Sequence, residues 1–144
     1  MKKPIIKFFD KVILLILGLS PILYSCEKYG MPSATYELKG KVTSKNTSYP
    51  IKHIQITTQM KYERPDTLYT NSRGEYYYKV IGFPLDQPLY LKFEDIDGEE
   101  NGGEFISQEV DIIFDDADLI KKGKDKWDNG TFAKTQNIQL ERKK

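Results

Sequence analysis

From Thr35 onward, apolar and polar residues alternate in short runs, the period expected of half-buried strands. In Thr35 to Ser44, Tyr36, Leu38, Gly40 and Val42 fall on one face and Glu37, Lys39, Lys41 and Thr43 on the other. Ile51 to Thr58 repeats this, with Ile54 and Ile56 inward and Gln55 and Thr57 outward. Thr67 to Asn71 and Glu75 to Ile81 are predicted strands joined around Ser72-Arg73-Gly74, a connection that glycine permits. Tyr76, Tyr78 and Val80 share one face there, opposite Tyr77 and Lys79. Leu89, Leu91 and Phe93 are in phase within Pro88 to Glu94, as are Val110, Ile112 and Phe114 within Phe105 to Phe114. Thr131 to Glu141 closes the set with Ile138 and Leu140 inward, and a charged tail follows. No stretch beyond the N-terminal segment keeps an apolar period of 3.6, and Asp115 to Lys122 has room for one helical turn at most. Seven short strands with frequent turn residues predict an all-β fold, an antiparallel seven-stranded β-sandwich.

The first residues read differently. Lys2, Lys3, Lys7 and Lys11 precede an apolar run from Val12 to Leu23, interrupted by Ser20 and Pro21. That run is shorter than the ~20 residues needed to span a bilayer as a helix, and it has the layout of a secretory signal. It ends in Leu23-Tyr24-Ser25-Cys26, where a small residue stands before the chain's one cysteine. This is the arrangement of a bacterial lipoprotein cleavage site, with Tyr24 bulkier than is usual. A lone cysteine in an exported chain cannot close an internal disulfide, and lipidation at Cys26 accounts for it better than a free thiol. The expected organisation is a signal peptide over 1–25, a lipidated cysteine and tether over 26–34, and a sandwich over 35–144. The chain is thus anchored to a membrane, not spanning one.

Removing the first 25 of 144 residues leaves 119, enough for one core. The net charge of +1 falls to about −2, because Lys2, Lys3, Lys7, Lys11 and Asp10 leave together. There is no basic surplus to bind nucleic acid or an anionic bilayer through long-range charge. Ten tyrosines suit strands.

Lys39 to Val42, Tyr49 to Ile56 and Tyr69 to Tyr76 together resemble the carboxypeptidase regulatory-like domain. The resemblance implies a transthyretin-like sandwich serving as a non-catalytic module. The stretch Phe93-Glu94-Asp95-Ile96-Asp97-Gly98-Glu99-Glu100-Asn101-Gly102-Gly103, taken with the lipoprotein site and Tyr29-Gly30-Met31-Pro32, resembles the radical SAM-associated lipoproteins of Bacteroidales-type bacteria. That resemblance implies an outer-membrane location, on either face, and a protein or peptide partner connected with a radical SAM system.

The acidic stretch is the leading site candidate. Asp95, Asp97, Glu99 and Asn101 could supply oxygen ligands to calcium on a loop made pliable by glycine, although no helices flank it. Gly102 and Gly103 could instead be a recognition or modification point, or the loop could be a solvated connection. Trp127, in a polar loop, is either an exposed binding aromatic or a lid on the core. His53 is the only histidine, which excludes a histidine-rich zinc site, and it is expected on the strand beside Ile54. No catalytic constellation emerges. The expectation is a non-catalytic binding or accessory module on a lipid anchor, the alternative a calcium-dependent carbohydrate- or surface-binding domain.

Overall fold

The computed structural model describes residues 30–61, 63–84 and 88–144, so the signal segment and Cys26 lie outside the described residues. Residues 31–144 form one compact unit. Nine strand segments are present among the described residues: β1 (Ser33–Ser44), β2 (Ile54–Gln59), β3 (Asp66–Tyr69), β4 (Glu75–Gly82), β5 (Leu89–Asp95), β6 (Gln108–Ile112), β7 (Leu119–Lys121), β8 (Asp128–Thr135) and β9 (Ile138–Leu140). They make two sheets. One has the order β4-β1-β8-β7 with β9 also paired to β1; the other has the order β3-β2-β5-β6.

The predicted inward faces are the buried ones. Leu38, Val42, Ile54, Ile56, Tyr76, Tyr78, Leu89, Leu91, Phe93, Ile112, Ile138 and Leu140 all belong to a single core between the sheets. On the outer face, Glu37 and Lys79 stand opposite each other in the β1–β4 register and form an ion pair at 2.9 Å. Tyr36 stacks on Phe132 at 5.5 Å and tilts against Phe114 at 5.0 Å, closing one side of the core. At the far end the buried Thr70 hydroxyl forms a bridge: its Oγ1 accepts from Ile54 N–H at 3.0 Å and donates to the Ile51 carbonyl at 2.8 Å.

Several expectations are corrected. The sandwich is not wholly antiparallel: β1 pairs antiparallel with β4 but parallel with β8 and then β9 along its other edge. Alternation reports which face a residue occupies and says nothing about the direction of a neighbouring strand. The predicted final strand is broken in two at Gln136-Asn137. Ile51 to His53 is not strand, because His53 turns the backbone at φ 60° before β2 begins. Asp115 to Lys122 makes a 3-10 turn at Asp116–Asp118 and then the short edge strand β7. The charged tail is not free either: Phe105 bridges Arg142, Ile106 N–H donates to the Glu141 carbonyl, and Lys143 N–H donates to that of Glu104, both at 2.8 Å.

The break at Gln136-Asn137 has a local cause. The Gln136 carbonyl turns inward and accepts the buried Tyr76 hydroxyl at 2.6 Å. Lys41 N–H then donates to the Asn137 side-chain oxygen at 3.0 Å. Gly40 makes this possible, because a Cβ there would overlap that carbonyl.

The topology gives the sandwich two distinct ends. β1 starts, β2 and β4 end, and β5 and β8 start at the end where the chain enters. The Asp95–Gly103 loop, the Asn71–Gly74 turn and the C-terminal tail lie at the opposite end, beyond β5, before β4 and after β9.

Candidate functional site

A groove of about 540 Å³ lies where β3 and β4 run past each other, lined among others by Lys39, Lys41, Tyr69, Asn71, Glu75 and Tyr77. Its rings are presented to solvent: Tyr69 is 51% exposed and Tyr77 55%. Both follow from strand alternation, since each neighbours a residue turned toward the core, Leu68 or Thr70 for one and Tyr76 or Tyr78 for the other. Asn71 fixes the polar rim. Its side-chain oxygen accepts from Arg73 N–H at 2.8 Å and Glu75 N–H at 3.0 Å, while its amide donates to Glu75 Oε2 at 3.1 Å. Arg73 Nε reaches the same oxygen at 3.0 Å. The Asn71 amide, aided by the Arg73 guanidinium, holds Glu75 below the usual glutamate range. Glu75 is thus a fixed anion, suited to binding a donor and unsuited to giving up a proton. Alternation places Tyr76 and Tyr78 on the face opposite Tyr77; the structure buries the first two and exposes Tyr77.

The acidic loop is organised from within. Asp95 accepts from Asp97 N–H at 3.2 Å and, with its other oxygen, from Phe105 N–H at 2.9 Å. Asp97 accepts from the Asn101 amide and lies 3.9 Å from His53 Nδ1. Glu99 and Glu100 point to solvent. The structure therefore brings Asp95, Asp97 and Asn101 together and leaves Glu99 apart from them. Among the described residues, no group of three or more His, Cys, Asp or Glu is close enough to hold a metal ion. Gly102 is exposed, whereas Gly103 is buried at φ 106° against the Arg142 guanidinium, so the two glycines are not equally open to a partner. Trp127 is half-buried, its carbonyl accepting from Ser33 N–H at 2.8 Å and its ring lying 4.9 Å from Lys126 Nζ.

Burial pushes the Asp95 carboxyl above its ordinary value, and the neighbouring Asp97 carboxyl adds to the shift. The folded chain thus holds this proton more tightly than the unfolded one. Its contribution to stability is complete below the ordinary value of 3.8 and is lost as pH rises above it. Glu37, Glu75, Asp118 and Asp128 are shifted down and act in the opposite sense. Denaturant melts of wild type and Asp95→Asn across pH 3 to 7 should therefore differ by an amount that shrinks the wild type's relative stability as pH rises. Parallel curves would show that Asp95 carries no strain. Calcium in the same melts should raise wild-type stability by linkage if Asp95 and Asp97 share an ion; no rise leaves the loop as a hydrogen-bonded connection.

Fold and groove together define a two-sheet β-sandwich with a ligand-sized edge groove. No family model matches the chain, and no curated protein matches it significantly. Among solved structures, it is similar to a candidate carbohydrate binding protein from Bacteroides uniformis, at 15% identity and TM-score 0.44 over 73% of this chain and 40% of that one. It is similar to Klebsiella pneumoniae 5-hydroxyisourate hydrolase at 16% identity and TM-score 0.44, over 74% of this chain and 86% of that one. A DUF3823 family protein from Parabacteroides merdae gives 16% identity and TM-score 0.38, over 77% of this chain and 46% of that one. The chain spans less than half the length of the first and third of these.

Proposed function

We propose that this chain is a non-catalytic, lipid-anchored binding module of the outer membrane, which holds a protein or peptide segment in the groove between β3 and β4. The observation that carries the reading is the pair of exposed rings, Tyr69 and Tyr77, on a rim whose charges are already oriented by Asn71 and Arg73. Rigid aromatic anchors beside satisfied polar groups are what peptide recognition uses, because few rotamers are lost on binding. The charges are mixed, Lys39 and Lys41 against Glu75, which suits a polypeptide better than a uniformly charged polymer. A peptide connected with a radical SAM system is the partner class that the sequence resemblance supports. The calcium-dependent carbohydrate reading rests on Asp95, Asp97, Glu99 and Asn101, and the melts above bear on it.

The test screens the full chain against a peptide library and an oligosaccharide panel, with and without calcium. Peptides held by wild type should bind at least about tenfold more weakly to a Tyr69→Ala, Tyr77→Ala double variant, since anchoring aromatics are worth more than about 1 kcal/mol each and tenfold is about 1.4 kcal/mol. Both rings are exposed, so the variant should fold. Undiminished peptide binding would overturn the groove assignment. Oligosaccharides retained only with calcium, and lost in Asp97→Asn, would replace it with the alternative.

A further inference from the structure

The end of the sandwich where the chain enters carries an open apolar cluster. Three large apolar side chains cluster there with their faces open: Met31 (64% exposed), Ile81 (67%) and Phe83 (53%), joined by Pro32 around a shallow hollow. They sit on the β4 side of the start of β1, where Ala34 pairs with Gly82 and Thr35 with Ile81. On its other side, Ser33 pairs with Asp128, and the end of β7 and the β7–β8 loop bring up Lys121, Lys122, Lys124 and Lys126, all exposed, beside Trp127. Lys61 and Arg64, exposed in the β2–β3 loop, belong to the same end.

The carboxylates of this end keep their charge and are held in fixed positions by backbone donors. Asp128 accepts from Lys124 N–H at 3.0 Å and Gly130 N–H at 2.9 Å, and Asp125 accepts from Trp127 N–H at 2.8 Å. These bonds hold the loop in the shape that fans its lysines outward. Asp66 bonds Thr67 N–H at 2.8 Å, and Glu63 borders the apolar hollow. Asp115 and Asp116 stand near Pro84 and Asn129, so the lysine excess is confined to residues 121–128, four lysines against Asp125 and Asp128.

We infer that this end is a membrane-docking face, with Met31, Ile81 and Phe83 entering the interfacial region and the lysine loop meeting anionic phospholipid headgroups. The occupant follows from where the chain leads. Cys26 stands five residues before Met31, so an extended chain places it within about 18 Å of the patch. The inference rests on the lipid-anchor reading in that respect. Apolar side chains flanked by lysines and a tryptophan are the composition of a surface that lies in the headgroup layer. Docking by this end holds the opposite end, with the acidic loop and the Asn71–Gly74 turn, away from the bilayer.

Trp127 is the chain's only tryptophan, which supplies the readout. The full-length protein is reconstituted with phosphatidylethanolamine–phosphatidylglycerol vesicles or with phosphatidylcholine vesicles, each carrying headgroup-spin-labelled lipid. Quenching of Trp127 should be at least about threefold stronger on the anionic vesicles, since each lysine near such a surface adds roughly fivefold in affinity. Lys122→Glu with Lys124→Glu and Lys126→Glu should remove that difference, and Ile81→Ser with Phe83→Ser should weaken quenching on both. Unquenched Trp127 on anionic vesicles overturns the docking face, as does quenching indifferent to both sets of substitutions. The anchor fails separately: protein that does not sediment with neutral phosphatidylcholine vesicles lacks it, while quenching on anionic vesicles alone would leave the docking face standing without it.

Discussion

A Gly40→Val chain should melt at least about 10 °C below wild type, or fail to fold, at a cost of about 3 kcal/mol or more. The side chain cannot be absorbed by rotating a neighbour, because what it would overlap is the Gln136 backbone carbonyl, with the Tyr76 ring also close. Moving the carbonyl breaks its bond to the hydroxyl of Tyr76, a largely buried side chain. It also disturbs Asn137, on which Lys41 N–H depends. Tyr76→Phe provides the comparison: it removes the hydroxyl but leaves the strand path intact, so it should cost only about 1 kcal/mol. Thermal melts of the two variants decide the matter. Equal, small losses would mean that the β8–β9 break is not built around Gly40.

The second large effect concerns location. Cys26→Ser should shift the protein from the membrane fraction to the soluble fraction by at least tenfold, because serine offers no thiol to receive a lipid. Each buried methylene contributes about 0.8 kcal/mol and stable anchoring takes more than one chain, so losing the acyl groups removes most of the membrane affinity at a stroke. The docking face would remain, but its lysines act only on anionic surfaces and are screened by salt. The folded unit begins at Met31, so the melting temperature of the variant should match wild type. Retention in the membrane fraction after a high-salt wash would overturn the lipid anchor.

The faces of the strands were legible in the sequence because burial enforces a period of two. Leu38, Ile54, Phe93 and Leu140 could each be placed inward without coordinates. Strand direction was not legible, since the parallel β1–β8 pairing joins residues nearly a hundred positions apart and leaves no local trace. Gly40 looked like one more inward residue; its role depends on a carbonyl ninety-six residues downstream. The acidic loop was visible as a composition, yet what its carboxylates bind could be seen only once Phe105 and Asn101 were placed. The groove was missed for a related reason. Tyr69 and Tyr77 alternate correctly in their own strands, and nothing in either strand says that the two edges pass each other. The lysine loop was hidden by an overall charge near zero, to which both ends contribute.

The strand that follows the tether is also the central one of its sheet. β1 runs for twelve residues, paired over eight positions with β4 on one edge and held by β8 and β9 on the other. Tension applied through Ser33 would run along β1 and load those hydrogen bonds together in shear, instead of peeling them one at a time. Pulled through Ser33, the sandwich would thus resist force as a mechanical clamp.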